Sequence, residues 1–459
     1  MPDILPAKDR LLAEIGISPG TVKSAKSRWE RSCYQAAINW LTKYRPNSNA
    51  ANLDKIKGLL EAFHHLCEIK NWQAASKIAD LPLNTPSQTK LRSQLSLWGH
   101  FTEQANLYQK LLGNLTNHWD HICLNGLGNA HHSQGNHRRA ISFYQQCLQS
   151  AQATGDTNWE ATALNGLGTA HHAIGNYPEA KTCYSQYLAS AQAAEDQQAQ
   201  STALCNLGNI YDSIGDHTQA IRHYKKSLTL AQQLGDDYRA GSALNGIANA
   251  CFSRGDHAQA ASYYQQHLEI SLQLGNRHGE LSAWNGIGNS HYAQGNHEQA
   301  VSAYEQSLAI AQDIDDIRAK GRALGNLGLV HYALGQHRRS LDYYQQFLAI
   351  AQDIGDTAGT ANALGNMGAA LIALELYPTA MQAWQAALDI LRKIGARETE
   401  AYLLNNMARF HHSIGALQLA QDCCTRSLAI ARELELPLLE DCQTLQAKLQ
   451  IEDTPEGTT

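Results

Sequence analysis

Leu204-Cys205-Asn206-Leu207-Gly208-Asn209-Ile210-Tyr211, with Gly215-Asp216-His217-Thr218-Gln219-Ala220 close behind it, returns every forty residues and decides the fold. Leu204 is matched by Leu124, Leu164, Leu244, Trp284, Leu324, Leu364 and Leu404. Gly208 is matched by Gly128, Gly168, Ala248, Gly288, Gly328, Gly368 and Ala408. Gly215 recurs as Gly135, Gly175, Gly255, Gly295, Gly335 and Gly415, with Glu375 the one departure. The register runs through eight units without an insertion. A fixed period of this length marks a repeat array, in which each unit buries its apolar face against its neighbours.

Two helices can be traced in every unit, here in residues 157 to 194. Thr157 and Glu160 make a capping-box pair, and Leu164, Leu167 and His171 mark an inward stripe. Gly175 ends the first helix, because glycine takes the left-handed conformation at little cost. Asn176 then stands as N-cap of the second helix, and Pro178, like Pro378, falls in a first turn where its missing N–H is harmless. Ala180, Tyr184 and Leu188 follow at i, i+4 and i+8. Helices approach closely only where side chains are small, so Gly168 and Ala180 are read as the contact between the two helices. Gly208→Leu is therefore expected to overpack its hairpin.

The set Leu164, Leu167-Gly168, His171, Gly175, Tyr177, Ala180 and Tyr184 resembles the tetratricopeptide repeat. His171 stands where that family usually has tyrosine, while Tyr211 keeps the usual residue. Units of forty residues exceed the family's period of about 34 and imply longer hairpins. This length, with its recurring Asn-Leu-Gly-Asn and Gly-Asp, is similar to the repeats of Pins-type polarity adaptors and of large bacterial arrays. The resemblance implies an all-α fold, a right-handed α-solenoid of stacked antiparallel helix hairpins. It also implies a concave groove, lined by first helices, that binds an extended peptide.

The expected organisation is an N-terminal helical cap over 1–50, two degenerate repeats over 51–116, eight consensus repeats over 117–436, and a C-terminal capping helix with a disordered tail over 437–459. In the first block, Trp29, Cys33, Ala36, Ala37, Trp40 and Leu41 share helix spacing. Residues 21 to 45 carry Lys23, Lys26, Arg28, Arg31, Lys43 and Arg45 against the single acid Glu30. That helix either touches an acidic partner or membrane surface weakly, or is an ordinary solvated face.

A second face of the first helices, at the spacing of 125, 129 and 132, matches the family's groove. It supplies the candidate peptide-binding residues Asn125, Asn129, His132, Asn165, His172, Asn209, Asn245, Asn249, Asn285, Asn289, Tyr292, Leu329, Tyr332, Ile372, Asn405 and Arg409. Asparagine offers both a donor and an acceptor, so a ladder of them suits the backbone of an extended chain. The same ladder also suits hydrogen bonding between neighbouring hairpins, and both readings stand at this stage. The sixth and seventh units turn apolar, through Gly325, Leu329, Gly365, Ala369 and Ile372. Such a stretch either fixes a ligand's register or is covered by the helix from Pro437 to Leu449 or by a second copy.

The exclusions are wider. A net charge of -6 gives no basic field for nucleic acid. No apolar run reaches the roughly 20 residues needed to span a bilayer, and Met1 to Arg10 lacks a signal-peptide core, so a cytoplasmic location is expected. The ten cysteines follow neither disulfide nor zinc spacing and read as packing thiols. Adjacent histidines such as His131 and His132 point about 100° apart on a helix and cannot share an ion, so no metal and no cofactor are expected. Phosphate-loop, Cys-x-x-Cys, Gly-x-Ser-x-Gly and zincin patterns are missing, and no enzyme is expected. The expected function is a non-catalytic scaffold or adaptor that holds an extended segment of a protein partner. The alternative is a structural unit that assembles through helix faces and termini.

Overall fold

In the computed structural model, residues 4–5, 8–47 and 49–452 are described. They divide into two compact units, Met1–Gly235 and Asp236–Thr459. Every named element among the described residues is a helix, and the one β-bridge pairs Pro82 with Lys90.

The first unit opens with seven helices, α1 (Lys8–Ile15), α2 (Pro19–Ser24), α3 (Arg28–Lys43), α4 (Asn52–Glu68), α5 (Trp72–Ala79), α6 (Leu91–Leu97) and α7 (Phe101–Leu111). They close around one apolar core that includes Leu11, Leu59, Phe63, Ile78 and Leu107. Three hairpins follow: α8 (Asn117–Ser133) with α9 (His137–Thr154), α10 (Thr157–Ala173) with α11 (Tyr177–Ala193), and α12 (Gln197–Ser213) with α13 (His217–Leu234). The second unit holds five more: α14 (Asp237–Ser253) with α15 (His257–Leu274), α16 (Arg277–Ala293) with α17 (His297–Asp313), α18 (Ile317–Ala333) with α19 (His337–Asp353), α20 (Thr357–Ala373) with α21 (Tyr377–Ile394), and α22 (Arg397–Ser413) with α23 (Leu417–Glu433). α24 (Leu439–Glu452) packs on α23 and α22. Each unit is thus an all-α solenoid of stacked helix hairpins.

From Asn117 onward a new helix starts every twenty residues, so the sequence period is two helices and two turns. Both turns need a left-handed residue. Gly175 and Gly215 supply it between the paired helices, at φ +76° and +83°, and Glu375 holds the same conformation at φ +61° without a glycine's freedom. Between hairpins, Gly155, Gly235, Gly275, Gly355 and Gly395 alternate with Glu195, Asp315 and Glu435, all at positive φ.

Local details differ from the sequence reading. The N-cap of α10 is Asp156, whose carboxylate accepts from the Trp159 N–H at 3.2 Å, and Thr157 is already helical. Asp196, Asp236, Asp316 and Asp356 do the same, Asn276 caps α16, and α8 and α22 begin without a side-chain cap. Asn176 does occupy the N-cap position of α11, but its amide goes to His171 Nδ1 at 3.2 Å and caps nothing. Trp29 is 61 % exposed and does not belong to the buried stripe of α3, which is Cys33, Ala37, Ile38 and Leu41. Residues 453–459, where a disordered tail is expected, lie outside the described residues.

Candidate functional site

The asparagine ladder is best understood from the tyrosine opposite it. Tyr224 on α13 is 2 % exposed, and its ring lies across Gly208 of α12, where an added Cβ would sit 2.6 Å from Cε1. Its hydroxyl emerges beside Asn209 and donates to Oδ1 at 2.7 Å. The arrangement repeats: Tyr144 donates to Asn129 at 2.6 Å, Tyr264 to Asn249 at 2.5 Å and Tyr304 to Asn289 at 2.8 Å. In α10, Thr169 meets Tyr184 at 3.1 Å. Burial pushes the pKa of the Tyr144, Tyr224 and Tyr304 phenols up, so these remain protonated donors. Asn129, Asn209, Asn249 and Asn289 therefore satisfy the one polar atom of a buried aromatic ring.

The other asparagine phase is mixed. Asn206 donates to Asn165 Oδ1 at 2.9 Å, and Asn326 to Asn285 Oδ1 at 2.9 Å, each pair joining consecutive hairpins of one unit. Asn245 has Gly286 at the corresponding place in the next hairpin, and its buried Oδ1 has no partner. Asn125 is half-buried on α8. Asn405 is buried at 4 % exposure beneath α24, where the Cys442 thiol donates to its Oδ1 at 3.7 Å, and this closes it to a ligand. Arg409 reaches the same helix, with Asp441 3.3 Å away. The aromatic and histidine positions are engaged by neighbouring side chains: His132 Nδ1 meets His137 Nδ1 at 3.2 Å within its hairpin, His172 Nε2 meets Ser213 of the next hairpin at 2.9 Å, and Tyr292 packs on His297 with ring centres 5.5 Å apart.

Leu329, Tyr332 and Ile372 have a different setting. Two adjoining cavities of about 500 and 480 Å³ open on the first-helix face of the second unit and share Leu329, Asn366, Ala369 and Asn406. Tyr332 and Ile372 line the second, with Trp384, Arg409 and Phe410. The first reaches Asn285 and Asn289 at one side and adds Arg322, Phe347, Asn362, Tyr402 and Leu403. Glycine makes the room: a Cβ on Gly325 would lie 3.3 Å from the Phe347 ring, and one on Gly365 would find nothing nearer than Leu403 Cδ1 at 4.0 Å. Asn362, Asn366 and Asn406 make no side-chain hydrogen bond. The sequence ladder is offset from them: the free amides sit at the phases of 122 and 126, and the expected ones at 125 and 129.

Two internal signals distinguish the phases. Asparagine at the phase of 129 accompanies tyrosine at the phase of 144, in the pairs 129/144, 209/224, 249/264 and 289/304, and is absent where Trp384 or Cys424 replaces the tyrosine. Asn366 and Asn406 follow units whose phase-125 residues are Gly325 and Gly365, so the acceptor that serves Asn206 and Asn326 is missing for them.

Among the described residues no group of three or more His, Cys, Asp or Glu side chains is arranged to hold a metal ion. All ten cysteines are free thiols, and burial pushes Cys123 and Cys147 up to about 12, far from reactive thiolates. The six basic residues of 21–45 are exposed, while Glu30 is engaged in capping α3. No described helix is long and apolar enough to cross a membrane.

The tetratricopeptide repeat family matches residues 120–193, 199–273 and 279–353, and the description of anaphase-promoting complex subunit 5 matches residues 369–448. No curated protein matches the chain. Among solved structures, the apo form of RapI aligns with a TM-score of 0.59 at 12 % identity, over 83 % of this chain and 98 % of that one. Aspartyl phosphate phosphatase F from Bacillus subtilis aligns with a TM-score of 0.51 at 11 % identity, over 86 % and 98 %. A signal transduction ATPase with numerous domains and a tetratricopeptide repeat sensor, from Pyrococcus horikoshii, aligns at 0.51 and 12 % identity, over 95 % of this chain and 64 % of that one. At such identities these likenesses concern the fold alone. The repeated Gly–Tyr contact, the paired helices of fixed length and the matched repeats together show that the chain belongs to the tetratricopeptide repeat family, whose members are protein-interaction scaffolds.

Proposed function

We propose that the protein is a non-catalytic adaptor, and that it captures an extended segment of a protein partner on the first-helix face of α18, α20 and α22. The observation that carries this reading is the pair of adjoining cavities, where unbonded amides on Asn362, Asn366 and Asn406 stand beside the apolar surfaces of Leu329, Phe347 and Ala369. Amide groups left unpaired on a helix face can meet the N–H and C=O groups of an extended backbone, and apolar recesses take its side chains. The asparagines beside tyrosine keep Oδ1 engaged with its hydroxyl, which leaves only their amide N–H groups for a ligand.

A photo-crosslinking residue at Asn366, and separately at Gln385 on the outer helix α21, tests this in full-length protein exposed to host lysate. Crosslinks from position 366 that fall within one contiguous segment of a partner, and that vanish when Gly365→Leu fills the cavity, support the reading. Equal crosslinking from both positions, insensitive to Gly365→Leu, would favour assembly through outer helix faces.

A further inference from the structure

The two cavities are electrostatically one-sided in a chain of net charge -6: no aspartate or glutamate lines either of them. Arg322, exposed at the entrance of the first cavity, forms no ion pair. Arg409 lines the second and contacts only Asp441 at 3.3 Å, in a pair whose side chains are 53 % and 64 % exposed. Exposed pairs of this kind contribute little and are readily exchanged for a competing carboxylate. The wall between the two arginines is apolar, with Leu329, Phe347, Ala369 and Leu403, and Asn366 and Asn406 rise from it.

Building on the proposed peptide-binding role, we infer that the preferred ligand is an extended segment with two acidic side chains flanking an apolar one, the acids docking on Arg322 and Arg409. Its spacing follows from the helices. Arg322 and Arg409 stand two hairpins apart on α18 and α22, and Arg409 is seven positions further along its helix phase. The first helices α18, α20 and α22 touch one another only lightly, so successive ones lie at least about 9 Å apart, and with a rise of about 1.5 Å per residue the arginines are separated by at least about 20 Å. An extended chain needs at least about six residues to cover that. The central side chain, large and apolar, enters the recess opened by Gly325 and Gly365 against Phe347 and Leu403.

A displayed library of random fourteen-residue peptides, selected against the full-length protein and against its Arg322→Glu and Gly365→Leu variants, tests the inference. Arg322 is exposed and Gly365 has space, so both variants should fold, and a melting curve checks this. Wild type should enrich peptides with two acids at least about six residues apart and Leu, Phe or Met between them. Arg322→Glu should replace one of those acids with Lys or Arg in its enriched set, and should weaken the best wild-type peptide at least tenfold in titration. Gly365→Leu should lose the apolar preference. Enrichment of peptides without the paired acids, or identical sets from wild type and Arg322→Glu, would overturn the acidic ligand and leave the peptide-binding role standing. No enrichment by the folded wild type would overturn both. A stable dimer dissociated by Arg322→Glu would mean that a second copy occupies the face, which also overturns the inference.

Discussion

Tyr224 serves two ends at once, since its ring fills the space that Gly208 leaves and its hydroxyl is held by Asn209. Gly208→Leu must force that ring aside, and should cost about 1–3 kcal/mol, read as a lowered melting temperature. Asn209→Ala leaves a buried phenol hydroxyl unpaired and should cost about 1–3 kcal/mol, whereas Tyr224→Phe together with Asn209→Ala should cost less than the two changes summed. Additive losses would mean that the two side chains do not interact. The small residue at this phase was legible in the sequence, because only a glycine or alanine recurs there and close helix packing needs one. The role of asparagine was not, because an amide looks the same whether it serves a ligand or a neighbouring hydroxyl. Only its dependence on tyrosine fifteen positions later separates the two. Arg322 carries no such signal for the opposite reason, since arginine occurs only once among the eight residues at the phase of 122.

The hairpins were legible down to their turns, with boundaries uncertain by one residue. Asp156 outcompetes Thr157 for the cap because its carboxylate reaches the Trp159 N–H from outside the helix, a distinction that spacing alone does not make. Glu375 is where the period breaks and the backbone does not, at φ +61°. A residue with a Cβ pays about 1 kcal/mol for that conformation, so Glu375→Gly should raise stability by up to about 1 kcal/mol despite glycine's larger unfolded-state entropy. An unchanged or lowered melting temperature would contradict this account of the turn. α24 behaves as a cap, covering Asn405 and burying Cys442, Leu445 and Leu449 against the last hairpin. It does not line either cavity beside Leu329 and Ala369.

Across the whole molecule, histidine sets the response to acid. His131, His132, His172, His267 and His411 are all held below the ordinary histidine range, first by burial, with the charges of Arg139 and His137 adding at His131 and His132. In the unfolded chain these rings take up protons near pH 6.5, so below that pH the unfolded state binds more protons than the folded one. Their contribution to stability is complete above about pH 6.5 and is lost as the pH falls from there. Melting temperature should therefore decline steadily from pH 7 towards pH 5, and a flat profile would contradict it. The central claim is a division of labour among asparagines, with those beside tyrosine holding the hairpins together and Asn362, Asn366 and Asn406 free for a ligand. It is tested most directly by titrating one selected peptide against Asn366→Ala/Asn406→Ala and against Asn209→Ala/Asn249→Ala, with a melting curve for each. The account predicts at least tenfold weaker binding with unchanged melting for the first pair, and unchanged binding with lowered melting for the second; the reverse outcome would contradict it.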